Sequence, residues 1–561
     1  MSVKAYNQAF GGNPNSRNYR PGRDAVATRE GGLAYGLDVL EAVTQLVMLG
    51  LIGSSYYDSE KEQLKRAKQT WENAIGQASA DPAAAEYLAK LVSYGREVGG
   101  MKFQPVLGLV YLSTLEDKQW FCRAFPHVIK TPKDAHDFMD LARKANIRTG
   151  LGRSIKRVLQ EYINGLSTYH VRRYTGKLRD IITVCHPAAI QGTLPDKHIS
   201  YIMRGDAADI LELQAMQAVR DALSKGNTSD GVIALINRFG MQLEELKSTF
   251  GGLSKSQLRD VYTAMVPRLS ITALMQNLVT IEWVFSSNER DGYSAPNCGY
   301  LRHMIGVVEE RLQDVEAYKR SRVLPFTPLM AAKMTHVPEW QAALYKLVEQ
   351  GCTTMFDPAK LTGKSIRINV DTSGSMRGQI MSGKLNGPNI NIAEFVGVMG
   401  SALYQAMGDN CSIWAIASGY KRVPVRTLSA VGLGEEIMHT EVGHGTFFEQ
   451  CITGEVRVNS SQYDYRVFTQ TVPEAKYQGE NVYILLTDGQ QADNLEKAWA
   501  QARKPHGAKL IIWDVCDYGN RISNREDVLY LRGYSSQMID VVRKIMEDDT
   551  DQMKIIGDYS L

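Results

Sequence analysis

At 561 residues the chain exceeds what one hydrophobic core supports, so two or more domains are expected. Hydrophobic residues make up 44% and charged residues 22%, which excludes an intrinsically disordered protein. The net charge is only +3 but unevenly spread: residues 1–360 hold 44 Lys and Arg against 37 Asp and Glu, and the rest 20 against 24. The first residues, "MSVKAYNQAFGGNPNSRNYRPGRD", are rich in Asn, Gly and Pro and lack the apolar core of a secretory signal, so 1–19 is expected to be a flexible arm. The longest apolar stretch, Leu37 to Ile52, carries Asp38 and Glu41, too polar for a membrane span.

From about Gly31 to Gln350 the periodicity is helical almost throughout. In "SIKRVLQEYI", Ile155, Val158, Leu159 and Tyr162 share one stripe while Arg153, Lys156, Arg157 and Gln160 face elsewhere. Breaks fall at Gly99–Gly100, Pro132, Pro187, Gly251–Gly252 and Pro296. Many medium helices with short connections predict an α-solenoid over 20–357, although no clean sequence repeat accompanies it.

After Pro358 the pattern changes. "SIRINVD", "CSIWAIAS", "NVYILLTDG" and "AKLIIWDVCD" are short, nearly continuous apolar runs, as buried parallel strands require, and helical stretches such as "IAEFVGVMGSALYQAM" lie between them. Residues 358–561 therefore predict a doubly wound α/β domain, in which ligands bind at the carboxyl ends of the strands. The seven cysteines are scattered with no C-x-x-C pair, which favours reduced thiols and a cytoplasmic setting.

"VDTSGSMRG", Val370 to Gly378, puts Asp371, Ser373 and Ser375 at every second position directly after the first of these strands. Asp488 ends another strand in "LLTDG", and Thr446 sits in the glycine-flanked "VGHGTFF". Read alone, Asp371 and Ser373 could simply cap a turn. Together the five residues offer carboxylates and hydroxyls, a hard oxygen set suited to Mg²⁺ or Mn²⁺ rather than zinc. The constellation resembles the metal-ion-dependent adhesion site of von Willebrand factor A domains, with Asp371, Ser373 and Ser375 matching D-x-S-x-S, followed by Thr446 and Asp488. That resemblance implies a metal with one coordination position open to a partner's carboxylate, hence binding rather than catalysis.

Enzyme readings find little support. "LTGKS", Leu361 to Ser365, imitates the end of a phosphate-binding loop, but Pro358 replaces the required glycine and a strand follows. No G-x-S-x-G elbow surrounds Ser373 or Ser375, and no H-E-x-x-H occurs. The chain is expected not to be an enzyme.

Between Arg143 and Arg179 stand ten basic residues and one acid, Glu161. Arg153, Lys156 and Arg157 share a helical face, while Arg172, Arg173, Lys177 and Arg179 interleave with Tyr169 and Tyr174. Cations hold a phosphate backbone and aromatic rings stack on unpaired bases, so these seven cations are candidate RNA contacts; a solvated helix face is the competing reading.

The helical region resembles the TROVE domain of the Ro autoantigen family. The resemblance rests on "REGGLAY…LVMLGLIGSSYYDSEKE", similar to the family's opening glycine-rich helix and tyrosine stretch, and on "LRDIITVCHP", "LSITALMQNL" and "SRVLPFTPLMAAK". It implies a ring of HEAT-like helical repeats closed by a C-terminal von Willebrand A-like domain. It further implies a ribonucleoprotein with a small noncoding RNA (Y-RNA-like) or with single-stranded ends of misfolded RNA, acting in RNA quality control or scaffolding. A protein partner such as an exoribonuclease is implied too, and no membrane. Within "RRYTGKLRDIITVCHP", Arg173 keeps a cation at a family lysine position, whereas Leu178 stands where a Y-RNA-contacting histidine is expected, and Leu324 replaces another family histidine. Leucine cannot donate to a phosphate or a base edge. The alternative is a metal-dependent protein-interaction scaffold that has lost specific RNA recognition.

Overall fold

A computed structural model describes the chain except for residues 1–24, 50–59, 145–146, 208, 287–298, 322, 324, 356–364, 379–391, 408–409, 428, 462–463, 534–540, 542–543 and 546–550. The expected arm 1–19, the tyrosine stretch before Glu60, Cys298, Leu324 and most of "LTGKS" lie outside the described residues. The chain divides into two compact units. One comprises the described parts of 1–105, 324–326 and 348–561, and the other 106–323 and 327–347.

The second unit is an array of helices, as the periodicity predicts. Helices Arg153–Asn164, Thr168–Cys185 and Leu194–Arg204 pack in succession on their sequence neighbours, as do Lys255–Met265, Ile271–Phe285 and Gly299–Leu312. Nearest-neighbour stacking of this kind defines helical-repeat architecture. Serines set the starts: Ser167, Ser254 and Ser270 each accept a backbone N–H of the following turn. His186, at φ +50°, ends Thr168–Cys185 in a left-handed cap, and Pro187 prevents continuation. One continuous core runs from Met216 through Ile236, Leu274 and Met304 to Trp340. Each such side chain contributes about 1.5–3 kcal/mol on burial.

The first unit is built on a sheet. Its strands are β1 (Ala25–Ala27), β2 (Leu33–Gly36), β3 (Ile366–Asp371), β4 (Cys411–Ile416), β5 (Tyr420–Arg422), β6 (Glu455–Ser461), β7 (Asp464–Thr471), β8 (Val482–Thr487), β9 (Lys509–Asp514), β10 (Asn520–Arg521) and β11 (Val528–Arg532). Six form one sheet in the order β11-β9-β8-β3-β4-β5, parallel except for β5. The four apolar runs are β3, β4, β8 and β9. β3 and β8 are buried along their whole length, which is why their sequences do not alternate. The sheet is mixed because β4 folds straight back into β5 through a short turn in which Ala417 N–H donates to Gly419 O (2.9 Å).

Helices cover both faces. Ile392–Met407 lies against β3 at Gly400, where a Cβ would stand 2.9 Å from Val370 Cγ2. On the opposite face, Trp499 of Leu495–Gln501 joins a core with Trp414, Tyr483, Leu485 and Leu510. β3 has β4 on one side and β8 on the other, and the chain winds outward in both directions, so the crevice beyond β3 and β8 is the topological switch point.

One expectation is corrected. Where the periodicity predicts helix from Gly31 and "REGGLAY" resembles a glycine-rich helix, the chain forms a turn running into a strand: β2 pairs antiparallel with β1 and with β10. A partner nearly five hundred residues away decides this, and helical periodicity carries no trace of it. Helices Val39–Leu49 and Pro82–Glu97 belong to the same compact unit as the sheet and pack within it. Glu41 and Arg521 form a buried ion pair at 2.6 Å, Gln45 Nε2 donates to Asp514 Oδ2 at 2.7 Å, and Lys90 Nζ donates to Gly557 O at 2.7 Å.

Candidate functional site: a carboxylate–hydroxyl cluster and a basic helix pair

Asp371 is the last residue of β3, and Asp488 follows the last residue of β8, on adjacent strands at the switch point. Both are buried, as are Ser373, Ser375 and Thr446. Ser373 N–H donates to Asp371 Oδ1 (2.9 Å), and the Thr487 hydroxyl donates to Oδ2 (2.7 Å). The Ser373 and Ser375 hydroxyl oxygens lie 3.2 Å apart. Gln490 N–H donates to Asp488 Oδ1 (3.1 Å), whereas Asp488 Oδ2 has no hydrogen-bond partner. The Thr446 loop ties the two carboxylate loops together: Gly374 N–H donates to His444 O (2.9 Å), and Ala492 N–H to Thr446 O (2.7 Å). All five expected residues thus belong to one hydrogen-bonded set of loops.

The electrostatics of this cluster are unbalanced. Among the described residues neither carboxylate has a Lys or Arg partner. Burial pushes the Asp371 carboxyl up to about 6. Burial first, and then the neighbouring charge of Asp371, hold Asp488 well above the carboxylate range. Two repelling carboxylates, three hydroxyls and an orphaned carboxylate oxygen fit a small divalent cation with oxygen ligands. No group of three or more His, Cys, Asp or Glu positioned for a metal occurs among the described residues, so the donor set here is carboxylate and hydroxyl, without soft ligands.

The basic segment divides. Arg153 and Arg157 are exposed on the first turns of Arg153–Asn164, Lys156 is half-buried beside them, and no acid stands in the first turn. Three cations at the positive end of a helix dipole are locally unfavourable and leave an anion-attracting surface. Arg157 meets Glu161 at only 3.7 Å, with both side chains largely in solvent. On Thr168–Cys185, half-buried Arg173 lies over the rings of Tyr169 (5.9 Å) and Tyr174 (5.2 Å), and the Tyr174 backbone (φ −121°, ψ 23°) kinks the helix. Lys177 is half-buried, and exposed Arg179 donates through Nε to Ile202 O (3.0 Å).

Arg172 stands apart from these cations. It is buried and paired with Glu245 at 3.0 Å, because it falls on the stripe of Val171, Leu178 and Ile182 that faces the core. It is therefore structural rather than part of the exposed cationic face. Leu178 is itself fully buried, so the position that resembles a family histidine points inward in this chain. Sequence reasoning passed over His170, which stacks on Tyr174 (6.4 Å between ring centres) beside Arg173. Burial and the Arg173 charge lower its pKa. It also passed over Thr487, whose place in "LLTDG" was the available signal.

Fold and site together define a class: a helical-repeat chain joined to a doubly wound sheet whose switch point carries an aspartate–hydroxyl cluster. Among solved structures, the crystal structure of the Deinococcus radiodurans Ro (Rsr) protein shares this fold. It is 16% identical and aligns over 91% of this chain and 100% of that one, with a TM-score of 0.60. No family model matches the chain, and no curated protein does. No described helix is long and apolar enough to cross a membrane. The six described cysteines form no disulfide with one another.

Proposed function

We propose that the chain is a Ro-like RNA-binding protein, not an enzyme, that forms a cytoplasmic ribonucleoprotein with small structured noncoding RNA or with single-stranded ends of misfolded RNA. The observation that carries this reading is the uncompensated cationic start of Arg153–Asn164, on a fold shared with a Ro protein. Arg153, Lys156 and Arg157 would engage phosphates, with Lys177 and Arg179 beside them. The Tyr169–Arg173–Tyr174 group offers stacking faces for unpaired bases. Ring closure of the helical array by a von Willebrand A-like domain belongs to the same reading.

In that domain Asp371, Ser373, Ser375, Thr446 and Asp488 would hold Mg²⁺ or Mn²⁺. The bound ion would supply a Lewis-acidic position for a carboxylate of a protein partner. Burial of Leu178 and Arg172 favours a second reading, a metal-dependent protein scaffold without specific RNA recognition. Sequencing RNA that co-purifies with the tagged chain, before and after a high-salt wash, separates the two. One or two enriched structured RNAs support the first. No RNA, or only bulk RNA lost to salt, supports the second.

A further inference from the structure

Beyond the basic segment in sequence, the helical unit carries a second cluster of rings and cations, built from three helices that pack in succession. Lys255 and Arg259 stand one turn apart on Lys255–Met265 and so share a face. Both reach the end of Ile271–Phe285. Arg259 Nε donates to Val284 O (2.9 Å) and Nη2 to Ser286 O (3.1 Å), and Lys255 Nζ donates to Ser286 Oγ (2.9 Å). From there Lys255 lies over the Trp283 ring (5.2 Å), and Arg259 over the ring of Tyr300 (4.6 Å) at the start of Gly299–Leu312. Backbone carbonyls hold a guanidinium in place without cancelling its charge, so the Arg259–Tyr300 pair is built before any ligand arrives. The acids of the first two helices are engaged elsewhere. Asp260 accepts from the Thr228 hydroxyl (2.9 Å), and buried Glu282 accepts from Thr335 Oγ1 (3.1 Å) and His336 N–H (3.1 Å).

Exposure sets these two rings apart. Trp283 is 44% exposed and Tyr300 61%, and Val279, one turn before Trp283, is 42% exposed. Tryptophan is highly buried on average, and the rings that build the array, Phe121, Phe138 and Trp340, are fully buried. A flat, exposed ring backed by a cation has the chemistry of a nucleobase platform: a base stacks on the ring and its phosphate pairs with the cation. Two cations beside the rings favour an anionic polymer over an apolar protein surface. We infer that Trp283 and Tyr300, with Lys255 and Arg259, form a second site for single-stranded RNA, separate from the cationic start of Arg153–Asn164. Each ring takes one unpaired base, and stacking, which every base can do, makes the site tolerant of sequence. A duplex keeps its bases paired and stacked and has no free face to offer the rings. The inference rests on the RNA reading above and deepens it, giving single-stranded ends their own place on the helical unit.

The test uses full-length protein and two fluorescent probes read by anisotropy: an oligouridylate of about ten nucleotides, within the usual span of a single-strand site, and a blunt RNA duplex. Parent, Trp283→Ala, Trp283→Phe, Tyr300→Ala, Arg259→Gln and Arg153→Glu are compared, with Phe468→Ala as an exposed aromatic control in the other unit. Trp283→Ala and Tyr300→Ala should each bind the oligonucleotide about five- to a hundredfold more weakly, and the duplex as the parent does. Trp283→Phe, which keeps a ring, should recover most of the loss, and Phe468→Ala should match the parent. Neither alanine variant should change the salt dependence, because no phosphate contact is lost. Arg259→Gln should flatten the log–log salt slope for the oligonucleotide by about 0.7. Arg153→Glu should weaken the duplex. If it does, while Trp283→Ala and Tyr300→Ala bind the oligonucleotide as the parent does, this inference alone is overturned. If the parent binds the duplex but not the oligonucleotide, the inference is overturned as well. If the parent binds neither probe, the RNA reading falls and takes the inference with it.

Discussion

The guanidinium of Arg172 lies 3.0 Å from a carboxylate oxygen of Glu245, and both side chains are buried. Arg220 closes the arrangement by donating to Arg172 O (2.8 Å) and Glu245 O (3.1 Å). Removing one partner of a buried pair strands the other charge, at a cost of about 3–5 kcal/mol. Burial already raises the Glu245 carboxyl, so proton uptake relieves part of that cost. Arg172→Met is therefore expected to lose about 3 kcal/mol in chemical denaturation, and Arg172→Met with Glu245→Leu to recover most of it. The exposed Arg153→Glu should stay within about 0.5 kcal/mol of the parent while weakening RNA binding across sequences in a filter assay. A stable Arg172→Met that has lost RNA would return Arg172 to the binding surface.

At the carboxylate cluster the prediction runs in opposite directions with and without metal. Asp488→Asn removes a buried carboxyl whose ionised form the metal-free fold disfavours, so the metal-free variant should melt higher than the metal-free parent. A ligand at a hundred times its Kd stabilises by about 2.7 kcal/mol, and the variant should forfeit most of the parent's Mg²⁺-dependent gain. Thermal melts with EDTA and with Mg²⁺ check both halves, and equal Mg²⁺ shifts in the two proteins would remove Asp488 from the site.

Asp514, at the end of β9, provides a pH signature for the first unit. Burial pushes its carboxyl up to about 7 from an ordinary 3.8, against the pull of Arg532 and the Gln45 hydrogen bond. A raised acid pKa means the folded chain holds a proton that the unfolded chain has released. The stabilisation is complete below the unfolded value and is lost as pH rises towards 7, at up to about 1.4 kcal/mol per pH unit, then levels off. Asp514→Asn should flatten this part of the profile. Unfolding midpoints between pH 5 and 8 in metal-free buffer test it, and an unchanged slope in the variant would assign the dependence elsewhere.

Gly32→Ala forces a Cβ against two carbonyl oxygens, and the turn can make room only by lifting off the 490–493 loop. A loss of about 1–3 kcal/mol is expected, as for other overpacked sites. At Gly36 a Cβ meets nothing within 4 Å, so Gly36→Ala is the matched control and should be close to neutral. Limited proteolysis near the N-terminus reports the same detachment, and equal behaviour of the two variants would disprove the close approach.

How much could be read in advance depended on the distance over which each feature is decided. Strands β3, β4, β8 and β9 were legible because burial on both faces writes itself into consecutive residues. That Asp371, Ser373, Ser375, Thr446 and Asp488 fall in adjoining loops was legible because strand ends and short loops carry them. The burial of Arg172 was not legible because a helical face is known only once its neighbour is known: its ion-pair partner Glu245 lies 73 positions away. β2 falls in the stretch expected to be helical for the same reason, since one of its edges is held by Asn520 and Arg521.

The pairing of β2 with β10 also sets a timetable for synthesis. Val43, Leu46 and Val47 of Val39–Leu49 are buried in the finished unit, and Glu41 is neutralised there by Arg521. A ribosome adding about 5–20 residues per second leaves the ribbon β1–β2 and this helix waiting on the order of 25–100 s for residue 521. The helical array of 106–347 is meanwhile complete and, being built from local contacts, is free to fold first. Helices Glu60–Ala80 and Pro82–Glu97 can cover much of Val39–Leu49 as soon as they are made, but over this interval the second edge of β2 and the Glu41 carboxylate stay unanswered. Maturation ends only when the last strands arrive to take both out of water.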